Sequence, residues 1–334
     1  LARFAFLFSF WIGVPIAVVY YAIAPWFLRE AFPLLPPSLR FFGCFIPLTL
    51  CAGLWMALYQ GKGDFATWNI AKLTRSAGYT FWIGLALLTG IATVPLVLWS
   101  QVFLTALVIA LLGLRMRSLS ASGAPDTVPA GKLFRYGLAV YASGIFYMLN
   151  QQLDQLLLSL WVPAQELGQY ASAVSLSAIV MFIPSTMGPV VFSRLARSGA
   201  EGGRRHAIKA VTICGALLLP AALFMTLLAP WIVRLVYGSA FGPAGHVLRV
   251  LAPAAALLGL GNLFSDVLRG SGRPLIPTYA MLAGLLVTIP GLVFALPRWG
   301  IWGAAWVSLA AYGVMLAVQA GSFLCMSNKP GLRE

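Results

Sequence analysis

The sequence predicts an all-α, polytopic membrane protein of about ten transmembrane helices in two pseudo-symmetric lobes. Three observations predict it. Hydrophobic residues make up 60% of the 334 residues and charged residues only 9%, against about 45–50% and about 25% in an ordinary soluble domain. The apolar residues come in long uncharged runs. The basic residues fall unevenly into alternate connections between those runs. A soluble fold of this length could not cover its surface with so few charges, whereas lipid accepts apolar side chains facing outward. Barrel strands are excluded, because the runs are too long and do not alternate in polarity.

A helical crossing needs about 20 mostly apolar residues. Uncharged runs cover 4–28, 41–61, 76–114, 210–233, 274–297 and 299–328. The 76–114 run is long enough for two crossings, with a break expected around Pro95 and Ser100. The stretch 136–193 holds only Asp154 and Glu166 as charges and splits at 162–168, V-P-A-Q-E-L-G, into two more. A further helix covers 246–268 and ends at Asp266 and Arg269. These are helices A to J.

Basic residues test the count, because cytoplasmic connections carry an excess of Lys and Arg. The N-terminus, B–C, D–E, F–G, H–I and the C-terminus hold 17 of the 22: Arg3, Lys62, Lys72, Arg75, Arg115, Arg117, Lys132, Arg135, Arg194, Arg197, Arg204, Arg205, Lys209, Arg269, Arg273, Lys329 and Arg333. The other connections hold Arg29, Arg40, Arg234, Arg249 and Arg298. A miscounted helix would scramble this alternation, so both termini are expected in the cytoplasm. Trp26, Trp99, Trp161, Trp231 and Trp299 fall at the opposite helix ends and read as interfacial anchors.

The net charge of +14 does not point to nucleic acid, since the basic residues lie between apolar runs rather than on one patch. Cys44, Cys51, Cys214 and Cys325 form no C-x-x-C and read as small buried hydrophobes. His206 and His246 have no ligand-spaced partner, so no metal site is expected, and no cofactor. There is no Ser/His/Asp grouping, no phosphate-binding lysine loop and no G-x-G-x-x-G after a strand. No catalytic residues are assigned, and the chain is not expected to be an enzyme.

An internal repeat organises the helices. Q-G-K-G at 60–63 has a counterpart in R-G-S-G at 269–272, and A-P-W at 24–26 recurs at 229–231. The offsets, 209 and 205, agree within a short loop difference, and both matches join helices in the same topological place. The copies keep the same orientation, so they form a parallel repeat about the membrane normal. The expected domains are a partial N-terminal lobe of four helices (1–116), a cytoplasmic linker rich in Ser, Gly, Pro and Ala (117–131), a C-terminal lobe of six (132–328) and a cytoplasmic tail (329–334). The same offsets place the start of the first copy about 73 to 77 residues before Leu1, room for a further hairpin that would complete a 6 + 6 plan. The chain alone is therefore expected to transport poorly.

Local sequence adds a resemblance. N-Q-Q-L-D-Q-L-L-L-S-L-W-V-P-A-Q-E-L-G-Q-Y-A-S-A (150–173) resembles the start of the second lobe in polysaccharide flippases of the multidrug/oligosaccharidyl-lipid/polysaccharide (MOP) superfamily, with Asp154, Glu166, Gly168, Tyr170 and Ala173 in the corresponding places. I-P-S-T-M-G-P-V-V-F-S-R-L-A (183–196), L-Y-Q-G-K-G-D-F (58–65) and V-L-R-G-S-G-R-P (267–274) resemble the family's helix-eight ending and two of its turns. Gln155 stands where many relatives carry Arg. The resemblance implies a transporter of the bacterial inner membrane. It would move an undecaprenyl-diphosphate oligosaccharide outward for surface polysaccharide, of the O-antigen or lipopolysaccharide kind. Two lobes would work by alternating access, with a proton or sodium ion as possible coupling partner. The alternatives are a cation-coupled multidrug exporter of the same superfamily and, in another class, a multi-span polysaccharide polymerase or ligase.

Polar residues inside the spans are the candidate pathway. Asn150, Gln151 and Asp154 form a cluster on helix E and can share a face by i, i+3 and i+4 spacing. An ionisable group at that depth is expensive and must face a cavity or a partner. The cluster reads either as an ion or sugar contact or as a structural hydrogen-bond network. Asn262 on helix H is a weaker candidate. Lys62, Arg269 and Arg273 sit in the repeated cytoplasmic turns. They read either as diphosphate contacts on entry or as plain charge bias. Asp266 reads as the interfacial partner of Arg269.

Overall fold

A computed structural model describes residues 2–31, 42–119, 130–197 and 200–327. The described residues are almost wholly helical, with no strand among them. The chain divides into two compact units, Leu1–Asp126 and Thr127–Glu334. The first holds α1 (Ala2–Ala31), α2 (Phe45–Lys62), α3 (Phe65–Leu88) and α4 (Val94–Leu119). The second holds α5 (Ala130–Trp161), α6 (Ala164–Ser177), α7 (Phe182–Arg197), α8 (Ala200–Tyr237), α9 (Gly242–Gly270) and α10 (Leu275–Ser327). A 3-10 turn at Ala178–Met181 joins α6 to α7, so these make the single helix F in two pieces. The tail 329–334 and residues 120–129 of the expected linker lie outside the described residues; α4 and α5 reach into the linker's two ends.

Helices I and J are both inside α10. Gly300 breaks its helical path with φ 51° and ψ −131°, a conformation suited to glycine. The two limbs then fold back on each other: a Cβ at Gly303 would meet the Ala295 carbonyl oxygen at 2.6 Å, and one at Gly291 would meet Val307 at 2.9 Å. With that hairpin the long helical paths among the described residues number ten. Six helices, the double α10 among them, are long and apolar enough to cross a membrane by length and composition. This is a multi-pass membrane protein.

Helix boundaries differ from expectation where local chemistry overrides the charge pattern. The C–D break lies between Leu88 and Val94, not around Pro95 and Ser100. Gly90 takes φ 73° there and closes α3 through Gly90 N–H to Leu87 O and Ile91 N–H to Ala86 O. Pro95 falls in the first turn of α4, where a missing N–H costs nothing. Helix C starts early, because Asp64 caps it by accepting from the Thr67 amide (3.1 Å) and hydroxyl (2.6 Å). These bonds hold the Asp64 carboxyl below its ordinary pKa. Lys72 and Arg75 therefore ride on α3 rather than in a connection, as Arg204, Arg205 and Lys209 ride on α8 and Arg249 on α9. Long basic side chains tolerate such places by reaching outward from helix ends.

The two repeated turns have the same geometry. Gly63 (φ 73°) donates to Gln60 O and Asp64 to Tyr59 O; Gly272 (φ 79°) donates to Arg269 O and Arg273 to Leu268 O. Each is a glycine C-cap with the paired bonds of a Schellman turn.

In the first unit, the Tyr59 hydroxyl donates to Leu112 O at 2.7 Å and ties α2 to α4 over Ala71 and Val108. In the second, α9 is the buried central helix, with 18 of its 29 residues buried. Its small residues explain this, because they let neighbouring backbones approach. A Cβ at Gly245 would stand 2.7 Å from Pro230 Cα, and one at Gly270 would stand 2.9 Å from Phe192 O.

The hairpin packing is testable by single methyl groups. Gly303→Ala forces its Cβ onto rigid backbone and is expected to cost about 1–3 kcal/mol. Gly321→Ala, in open space on the same limb, is expected to cost nothing. Thermal unfolding in detergent compares them; equal midpoints would contradict the close fold-back.

Candidate functional site

The second unit holds a partly open cavity of about 170 Å³ lined by Tyr147, Gln151 and Asp154 of α5, Ser177 of α6, Ala178 and Met181 of the 3-10 turn, and apolar residues of α6 and α9, with Tyr312 of α10. Local sequence opens this space. Pro184 has no N–H to give the Val180 carbonyl four residues back, so helix F cannot run straight through. The resulting 3-10 turn forms part of the cavity wall. Irregular backbone at membrane depth is tolerated where it lines such a space.

Asp154 is the charged group of the site and is buried. Its carboxylate accepts the Tyr170 hydroxyl at 2.5 Å and the Gln155 amide at 2.7 Å, and Ser308 of α10 lies close by. Tyr170 is fully buried and lies one helix away, on α6. Gln151 donates to the Tyr147 hydroxyl, and Asn262 of α9 donates to that same hydroxyl at 3.3 Å. The structure thus places Gln151 and Asp154 on one small cavity, with Asn262 bonded to its Tyr147 hydroxyl.

Asn150 is directed elsewhere. Its amide nitrogen donates to Phe146 O (2.8 Å) and Met281 O (2.9 Å), and its side-chain oxygen accepts the Thr288 hydroxyl (2.8 Å). It joins α5 to the first limb of α10 and does not line the cavity. The expected common face of Asn150, Gln151 and Asp154 is therefore split: neighbouring helices on two sides of α5 take different members.

Arg269 and Arg273, the basic candidates of the second unit, do not line this cavity. Arg269 donates to the Ser143 hydroxyl at 2.8 Å, pairs with Asp266 at 3.8 Å, and offers its carbonyl to the Tyr136 hydroxyl at 3.1 Å. Both charged heads are mostly covered rather than reaching into the interface, and Arg269 fastens α9 to α5. Asp266 fits because position 188 is glycine; a Cβ there would collide with its carboxylate. Arg273 is exposed beyond the Gly272 turn, and Lys62 is exposed in the last turn of α2, in the first unit.

Comparison with known proteins follows this geometry. The family model described as "Polysaccharide biosynthesis protein" matches residues 2–245. The chain belongs to that family. A probable low-salt glycan biosynthesis flippase, Agl15 of Haloferax volcanii, is 22% identical over 200 residues, 59% of this chain and 42% of that protein. An uncharacterized membrane protein of Methanocaldococcus jannaschii is 22% identical over 192 residues, 56% of this chain and 38% of its own length. The chain thus spans about two-fifths of these curated relatives. Among solved structures, a MATE crystal structure in the straight conformation superposes with a TM-score of 0.79 at 15% identity, over 98% of this chain and 79% of that one. A MOP-superfamily transporter from Pyrococcus furiosus gives 0.77 at 14% identity over the same shares. The fold is that of MATE-type transporters, and the family match agrees with the polysaccharide resemblance read in the sequence.

Tyr147, Tyr170, Ser308 and Tyr312 escaped the sequence reading of the site. Tyr170 was visible as part of G-x-Y-x-x-A, but nothing local tied it to Asp154, 16 residues earlier across a helix break.

Asn150 and Asp154 should separate by substitution. Asn150→Leu removes the amide's bonds to Phe146 O, Met281 O and the Thr288 hydroxyl, which keeps Gly284 O as an acceptor, and is expected to lower stability by about 1–3 kcal/mol. Asp154→Asn keeps an acceptor for Tyr170 and is expected to leave membrane abundance near normal. Equal loss of abundance in both would assign Asp154 a purely structural place.

Proposed function

We propose that the protein containing this chain is a flippase for a lipid-linked oligosaccharide of the undecaprenyl-diphosphate type, serving surface polysaccharide synthesis by alternating access of two lobes. It would sit in the bacterial cytoplasmic membrane with both termini inside. Family membership supports the polysaccharide assignment. The observation that carries the mechanism is a buried carboxylate, Asp154, on a small and mostly apolar cavity.

The cavity suits an ion better than a sugar. Its volume of about 170 Å³ is well under the roughly 300–1,000 Å³ of pockets that take larger organic ligands. Its oxygen groups, from Asp154, Tyr147, Ser177 and Gln151, are ligands of a hard cation or carriers for a proton. Asp154 is the binding group in this reading, Tyr170 and Ser308 position it, and Gln151 with Asn262 sets the Tyr147 hydroxyl. Lys62 and Arg273, exposed in the equivalent turns, would meet the diphosphate in the cytoplasmic leaflet. Arg269, already engaged by Ser143 and Asp266, would stiffen the turn that carries Arg273.

Complementation of a strain lacking its own saccharide flippase tests the reading. The protein is expected to restore surface polysaccharide. Its Asp154→Asn variant, at equal abundance, should lose export at least about tenfold, the scale of removing one essential charge interaction worth about 1.4 kcal/mol or more. Undiminished export by Asp154→Asn would refute the ion role. Drug resistance without polysaccharide rescue would favour the multidrug exporter.

A further inference from the structure

The α10 fold-back carries a second feature. Trp299, Trp302 and Trp306 are all exposed and wall a groove of about 500 Å³. Trp306 lies two residues before Ser308, on the opposite side of the limb from the Asp154 site. Alongside this limb runs α9, in parallel register. The His246 ring lies 6.1 Å from that of Trp302, Leu257 meets Gly313, and Ser265 accepts from Gln319. Arg249, one turn beyond His246, therefore stands level with Trp306.

In this part of α9, His246 and Arg249 are exposed while residues 244, 245, 247, 248 and 250–252 are buried. The two polar side chains take no part in the helix's packing core. No ion pair to Arg249 is present among the described residues. An aromatic column and a basic column thus run side by side on one surface.

Depth selects the occupant. The 29 residues of α9 span about 43 Å at about 1.5 Å each, so some 6–7 Å at each end lies beyond a hydrocarbon core about 30 Å thick. Arg249 is about 10 Å from the helix start, just inside that boundary, from where a guanidinium reaches headgroup phosphate by extending outward. A lipid brings a phosphate to this level and a chain below it. A water-soluble saccharide would have to leave water to reach Trp306.

We propose that this face of the second unit binds an anionic phospholipid, with its phosphate held by Arg249 and His246 and its acyl chain laid along Trp302 and Trp306. The site stands independently of the transported substrate.

Quenching of tryptophan fluorescence by bromine-labelled acyl chains tests it. The whole chain would be placed in phosphatidylcholine nanodiscs containing a minor fraction of either brominated phosphatidylglycerol or brominated phosphatidylcholine. The phosphatidylglycerol is expected to reach half-maximal quenching at a roughly fivefold lower fraction, the scale of one basic residue at an anionic surface. Arg249→Gln should erase that preference while leaving quenching by phosphatidylcholine intact. Trp302→Phe with Trp306→Phe should remove the headgroup-specific part, with helicity checked by circular dichroism. Equal quenching by the two lipids, or an unchanged preference in Arg249→Gln, overturns the proposal. So does a response confined to a soluble acidic oligosaccharide, which would make the face a sugar platform.

Discussion

A hydrogen-bonding group placed in the middle of a membrane helix has only protein to bond to. Helix α5 carries four such groups within five residues, and the arrangement of the second unit follows from satisfying the two buried ones, Asn150 and Asp154. Asn150 is met by backbone and hydroxyl from the first limb of α10. Asp154 is met by a tyrosine of α6 and approached by a serine from the second limb. Both limbs of α10 must therefore reach α5, and the fold-back at Gly300 makes that possible. The glycines at the limb interface then follow, because two limbs that both address α5 must lie close to each other.

The same requirement separates a structural residue from a candidate functional one. The described bonds engage both ends of the Asn150 amide, from two elements. The Asp154 carboxylate also has partners, yet it lines a cavity beside a helix break. Charge and access together make it the better functional candidate. A neutral amide bonded between two helices is a better device for holding register, since losing it removes several bonds at once.

Much of the fold was legible because membrane helices are specified by composition. Hydropathy runs, charge asymmetry and interfacial tryptophans each mark a span independently, and the exposed Trp99, Trp161, Trp231 and Trp299 fit the anchoring role. Boundaries were less legible, because charge is a poor guide to where a helix starts. Lys72 and Arg75 looked like connection residues, but the Asp64 cap begins α3 before them. The site was legible only in part. Helical spacing put Asn150, Gln151 and Asp154 on one side of α5, but it cannot say which neighbour each will meet. Tyr170, Ser308 and Tyr312 reach the site from distant sequence, and only the packing of α6 and α10 against α5 brings them in.

Rigidity and openness are distributed unevenly around α5. Toward the first limb of α10, Asn150 and Thr288 bond directly, and Thr278 donates to Ala139 O one helical stretch away, so α5 and that limb are joined at two levels. Toward helix F, the contact crosses a 3-10 turn, with Pro184 just beyond it and a cavity between. The cavity and the irregular 3-10 turn lie on that second side. A change in what Asp154 binds would meet a fixed wall at α10 and a deformable one at the 178–181 turn. Motion driven from this site would therefore pass into helix F, whose far end packs against α9 at Gly270, the residue before the turn that bears Arg273. Helix F thus connects, by packing, the wall of the Asp154 cavity and the turn that bears Arg273.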